Sequence, residues 1–181
     1  MRNQINSNWK EKLGKMETEI LERLIEDYKL SSKEHKTVLQ MIKSNLFFNK
    51  CSKKASAMLV IGQPGCGKTI FIQNADLSDY IIINSDDYRH LNRFSDEIIN
   101  KYPTYYAKLT NFDAHLWGDE LFAYAVDEGY SVLREKAPID YSLLEIFERI
   151  SCKCDIVINV LVTGNLSSLL ATRERYEKEI C

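Results

Sequence analysis

Apolar residues at Trp9, Leu13, Met16, Ile20, Leu21, Leu24 and Ile25 recur three and four positions apart, predicting an amphipathic helix over 8–30. Ser31-Ser32-Lys33-Glu34 has the Ser-x-x-Glu form that opens helices, and Val38, Ile42 and Leu46 continue on one side, so a second helix is expected over 33–47. A polar stretch from Asn49 to Ser56 separates this helical preface from Ala57–Ile61, a continuous apolar run of the kind buried on both faces of a parallel sheet. Residues 80–83, 130–133 and 155–162 are rich in β-branched side chains and read as further strands. Helical patterns fall between and after them, at 68–75, about 93–101, 111–128 closed by Gly129, 140–150 and 166–180. Strands alternating with helices specify an α/β protein with a parallel sheet of about four to five strands flanked by helices. The expected organisation is an N-terminal helical extension, 1–56, followed by a core, 57–181.

The chain has 181 residues, 45% apolar and 28% charged, which allows a self-sufficient core and excludes collagen-like, low-complexity and disordered classes. No apolar run approaches the ~20 residues of a membrane span, and the N-terminus lacks the apolar region of a signal peptide. A cytoplasmic protein without membrane contact is expected. The five cysteines are irregularly spaced and read as reduced thiols. Residues 1–56 carry 12 Lys+Arg against 7 Asp+Glu, and the remainder 12 against 19. The sign alternation over 16–29 is that of a solvated helix face. The acidic core argues against a nucleic-acid partner, because a polyanion calls for a basic groove.

Three of the seven glycines and one of the three prolines lie between residues 62 and 67. Gly62-Gln63-Pro64-Gly65-Cys66-Gly67-Lys68-Thr69 fits the Walker A pattern G-x-x-x-x-G-K-[ST], with an apolar strand before it and a helix after. In such a P-loop the glycines let consecutive backbone N–H groups surround a phosphate, and the helix N-terminus adds partial positive charge. Lys68 supplies a point charge to the β- and γ-phosphates, and the Thr69 hydroxyl is placed to ligate Mg²⁺. The expected fold class is therefore a P-loop NTPase, kinase-like, with ATP and Mg²⁺ as cofactors. No Asn-Lys-x-Asp guanine-reading motif follows the loop, so a small-molecule kinase is the better fit than a GTPase.

The second strand runs into Asn84-Ser85-Asp86-Asp87-Tyr88-Arg89. An aspartate at that end can bind metal or take a proton from an acceptor hydroxyl; the alternative is that Asp86 caps the next helix. Glu135, near the end of the third strand, is either a metal or substrate ligand or a surface charge paired with Arg134 or Lys136. Arg173 and Arg175 either act on phosphate charge or make ordinary i, i+4 pairs.

These motifs together resemble the zeta toxin family of bacterial toxin–antitoxin systems, P-loop kinases of UDP-N-acetylglucosamine. GlyGlnProGlyCysGlyLysThr resembles the family's GQPGSGKT. IleIleAsnSerAspAspTyrArg resembles I-D-x-D-x-F-[RK], AspGluGlyTyrSerValLeuArgGlu resembles x-x-G-Y-N-x-x-x-E-G-T, and ThrArgGluArgTyrGlu resembles T-x-x-R-Y-E. The resemblance implies Asp86 as catalytic base, Glu135 at the metal or acceptor, Arg175 on nucleotide phosphates, and a small helical antitoxin as partner. The chain departs from the family after Glu135, reading Lys136-Ala137-Pro138 where the family has Gly-Thr on the acceptor side. A core truncated at its C-terminus is also expected, because the family's arginine-bearing lid lies beyond T-x-x-R-Y-E. These departures open a second reading, a catalytically weak nucleotide-binding module or partner-binding relic of a toxin.

Overall fold

A computed structural model describes residues 17–48, 55–136 and 148–180, with side chains through Glu174. The parts of the expected helices at 8–16 and 140–147 lie outside the described residues. The chain divides into two compact units, residues up to 39 with 86–117, and residues 40–85 with 118 onward.

The second unit holds four parallel strands, β1 (Ser56–Gly62), β2 (Ile81–Ile83), β3 (Val132–Lys136) and β4 (Asp155–Leu161), in the order β2-β3-β1-β4. Helix α3 (Lys68–Asn74) is the next element after β1, across residues 63–67, and α6 (Asn165–Ile180) follows β4. The central position of β1 explains its apolar run: Leu59, Val60 and Ile61 are buried, as are Val132 and Leu133 on neighbouring β3 and Ile81 and Ile83 on β2 beyond it. Leu121, Phe122, Ala125 and Val126, from the second half of a long helix α5 (Tyr106–Asp127), are also buried. Edge strand β4 differs, with Val157, Ile158 and Val160 exposed; among the described residues it pairs only with β1.

β3 begins two residues later than expected and runs to Lys136. The cause is the end of α5, where Gly129 donates to Val126 O at 3.1 Å and Tyr130 to Ala125 O at 2.8 Å. This Schellman pair consumes residues 129–131 before the strand can start. Glu135 therefore lies inside β3, opposite Val60, and not beyond its end.

In the first unit, which also holds the start of α2 (Ser32–Leu46), residues of α1 (described over 17–27), of α4 (Ser95–Lys101) with its flanks, and of the first half of α5 surround Tyr28, Ile98 and Leu109. The Tyr28 ring meets Phe94 and Tyr102 edge-on at 5.5 and 6.1 Å, the T-shaped arrangement that aromatic quadrupoles favour. His35, Asp113 and Trp117 form a buried polar knot: His35 Nδ1 lies 2.9 Å from Asp113 Oδ1, and Trp117 Nε1 donates to His35 O at 3.1 Å.

α2 starts with the reciprocal cap that its sequence announces. The Ser31 N–H and hydroxyl donate to Glu34 Oε2 at 3.0 and 2.6 Å, and the Glu34 N–H reaches Ser31 Oγ at 3.4 Å. The Ser31 hydroxyl and backbone, with Arg93 adding its charge, hold the Glu34 carboxyl below the usual carboxylate range. Glu97 is lowered by Lys101 and Tyr28, and Asp127 by Lys153. A folded-state pKa below the unfolded one gives stability that is complete above the unfolded value and is lost as pH falls through the folded one. The melting temperature should therefore hold on acidification to about pH 5 and fall below about pH 4. In Glu34→Gln that fall becomes shallower. Thermal melts followed by circular dichroism between pH 7 and 3 check this; an identical acid slope in the variant would remove Glu34 from the account.

Candidate functional site

The loop from Gly62 to Thr69 joins β1 to α3. Gly65 and Gly67 take φ of +73° and +91°, conformations that L side chains rarely adopt. At Gly65 a Cβ would stand 2.5 Å from Ser168 O and 3.0 Å from Thr172 Oγ1, so α6 closes on the loop where only hydrogen fits. Ser168 Oγ donates to Pro64 O at 2.5 Å, and Gln63 Nε2 donates to Thr163 O at 2.9 Å. The segment after β4 thus braces both shoulders of the loop. At Gly67 a Cβ would meet nothing within 4 Å. Gly67 is also the residue that caps α3, with no side-chain cap bond, so no side chain of the cap satisfies the helix's first N–H groups.

Lys68 folds back over the loop, its Nζ donating to Gly62 O at 2.7 Å and Gln63 O at 3.1 Å. The same Nζ lies 3.8 Å from Glu135 Oε1. The fold therefore brings Lys68 and Glu135, 67 positions apart in the chain, into one charged pair beside the loop. Arg134 and Lys136 both reach Asp119 instead, Lys136 at 3.7 Å. Strand alternation explains the division: residues 134 and 136 share one face of β3 and 135 the other. The expected alternative, Glu135 paired with its sequence neighbours, is replaced by the pair with Lys68. Thr69 is exposed at the second position of α3.

Asp86 belongs to the first unit, in a 3-10 helix, Ser85–Leu91, that starts two residues after β2. It does not cap α4, whose N-cap is Phe94. Its Oδ1 accepts from Arg89 Nε at 2.7 Å. Neighbouring Asp87 differs: burial pushes its carboxyl up, with Asp86 adding to the rise and His90 opposing it. Arg175 lies on α6, beyond the last described side chain, and Arg173, two residues earlier, is exposed.

Sequence reasoning missed three contributors. Ser168 gives no sign of touching the loop, because its contact is made across 104 residues. Thr163, too, acts through its backbone carbonyl, which any residue supplies. Only Arg89 left a trace, its spacing of three from Asp86.

The residues present fit a phosphate-binding role. The loop combines two left-handed glycines, open space at Gly67, an uncapped helix start and a lysine at its rim. No helix among the described residues is long and apolar enough to cross a membrane. No curated protein matches the sequence. Among solved structures, a chain from the molecular and structural characterisation of the PezAT chromosomal toxin–antitoxin system of Streptococcus pneumoniae superposes with a TM-score of 0.76 at 24% identity. The overlap covers 84% of this chain and 66% of that one, so this chain spans just under two thirds of its length, and the likeness shows the fold, a P-loop kinase-like sheet flanked by helices. The zeta toxin family profile matches residues 40–180, from within α2 to the last residue of α6 and so across the loop, β2, Glu135 and Arg175. With the profile spanning well over half of the sequence, the chain belongs to the zeta toxin family.

Proposed function

We propose that the protein is an ATP-dependent kinase that phosphorylates a hydroxyl of a small molecule, a UDP-N-acetyl sugar such as UDP-N-acetylglucosamine. The observation that carries this reading is the loop itself: Gly65 and Gly67 in left-handed conformations, with Lys68 folded over Gly62 O and Gln63 O. Backbone N–H groups of the loop from Gly65 to Thr69 hold the nucleotide phosphates, and Lys68 exchanges its loop carbonyls for the β- and γ-oxygens. The Thr69 hydroxyl is a metal ligand, with Asp86 and Glu135 as further candidates. Held there, Mg²⁺ would supply positive charge against the negative charge that develops on transfer.

Asp86 accepts the proton of the acceptor hydroxyl as its oxygen bonds the γ-phosphorus and the bond to the ADP oxygen breaks. Glu135 sets the position of Lys68 through their contact, and Arg175 holds phosphate. A small helical antitoxin is the proposed partner and the cytoplasm the proposed compartment; both rest on the family. Residues 57–181 form the kinase core in this reading, preceded by the helical extension.

The test is incubation with MgATP and UDP-N-acetylglucosamine, following ADP and the phosphorylated sugar nucleotide. One ADP per phosphorylated acceptor supports the kinase. One observation favours a second reading: Lys136-Ala137-Pro138 follows Glu135 where the family has Gly-Thr. ATP binding by calorimetry with no ADP above background for any sugar nucleotide would replace the kinase with a nucleotide-binding module.

A further inference from the structure

Arg89 spends its whole guanidinium on two tasks. Nη1 donates to Ala107 O at 2.6 Å and Thr110 Oγ1 at 3.2 Å, and Nη2 to Asn111 Oδ1 at 3.0 Å, all on the first turns of α5. Nε and Nη2 both reach Asp86 Oδ1 at 2.7 Å. Five contacts match the five N–H bonds of the group. The 3-10 geometry of Ser85–Leu91 makes this reach short, because residues three apart eclipse one another.

The two partners are unequal: the Arg89 side chain is 13% exposed and that of Asp86 is 70% exposed. The cation is anchored in the protein, and the carboxylate is held out toward solvent. An exposed ion pair of this kind contributes little to stability. The three acceptors on α5 fix the plane of the guanidinium, and with it the direction from which Asp86 is held.

We propose that Arg89 is the positioning residue for Asp86, clamping its carboxylate in one orientation against α5. The proposal rests on the reading of Asp86 as the proton acceptor and adds the device that aims it. Lysine cannot substitute, since an ammonium is a point charge without the rigid fork that spans Asp86 and α5 together.

The test measures ADP release with MgATP and UDP-N-acetylglucosamine for wild type, Arg89→Ala, Arg89→Lys, Asp86→Asn and the double variant Asp86→Asn/Arg89→Ala. Arg89→Ala should lower kcat about 10²-fold, the order lost when a reacting group is misplaced by about an ångström, with KM for ATP unchanged. Arg89→Lys should recover little, and guanidinium ion added to Arg89→Ala should restore part of kcat. The double variant should be no slower than Asp86→Asn alone, because a residue that acts through Asp86 has nothing left to position. Additive losses, a raised KM with kcat intact, or wild-type kcat in Arg89→Ala each overturn the proposal. If Arg89→Ala does not fold, Asn111→Ala removes one anchor and takes its place, with a smaller kcat loss and the same non-additivity expected. Full turnover in Asp86→Asn, or a silent wild type, instead ends the reading of Asp86 itself and the Arg89 proposal with it.

Discussion

Lys68→Ala should lose phosphoryl transfer by about 10²- to 10³-fold, the range for removal of one preorganised donor from a developing oxyanion. The side chain is only 11% exposed, so its charge acts in a poorly screened setting, and no other described cation contacts the loop carbonyls it covers. The truncation also leaves Gly62 O and Gln63 O without the donor they now share. Loss of hydrogen bonds from a charged donor costs about 1.5–3 kcal/mol. A fall in melting temperature of several degrees should therefore accompany the lost turnover, with the sheet retained. Kinetics and thermal melts on one preparation separate the two effects. Wild-type turnover in Lys68→Ala would remove the loop from the chemistry altogether.

The second large effect is a contrast between two glycines. Gly65→Ala forces a side chain into a left-handed conformation, about 1–2 kcal/mol by itself, and drives its Cβ to 2.5 Å from Ser168 O. That oxygen is backbone and has no rotamer to escape into. The melting temperature of Gly65→Ala should drop by about 5–10 °C, from an expected loss of about 2–4 kcal/mol in a chain of this size. Gly67→Ala pays the conformational cost alone, since nothing lies within 4 Å of its Cβ. Its stability should fall by only about 1–2 kcal/mol, yet ATP binding should suffer as much as in Gly65→Ala, because the new methyl group occupies the room assigned to phosphate. Calorimetric titration of ATP beside thermal melts decides this. Equal loss of stability at both positions would contradict the packing described for Gly65, and intact ATP binding in Gly67→Ala would contradict the role given to the loop.

What could be read from sequence was what is encoded locally. The apolar runs at 57–61, 80–83 and 155–162 become strands because β-branched side chains favour that geometry. Ser31 and Glu34 form their cap because both partners lie within one turn. The early start of α5, at Tyr106 and not 111, was hidden because its buried stripe includes polar Thr110 and Asp113, which interrupt the apolar rhythm. The 3-10 helix carrying Asp86 has no periodic pattern, and Arg89's acceptors stand 18 to 22 residues downstream. The pairing of Lys68 with Glu135 required knowing that β3 lies beside β1 and which residues of β3 face the loop. Composition and spacing encode the loop's chemistry, whereas its bracing by α6 depends on backbone atoms that leave no mark in the sequence.

The exposed edge of the sheet bears on the protein in bulk. Natural edge strands carry lysines, prolines or bulges that repel a neighbour. Asp155-Ile156-Val157-Ile158-Asn159-Val160-Leu161 has one charge, at its first position, and no proline. When concentration rises, two molecules meeting along β4 offer each other main-chain groups and valine and isoleucine side chains together, with no cation to oppose the encounter. Among the described residues this seven-residue seam therefore carries none of the devices by which an edge strand turns away a second copy of itself.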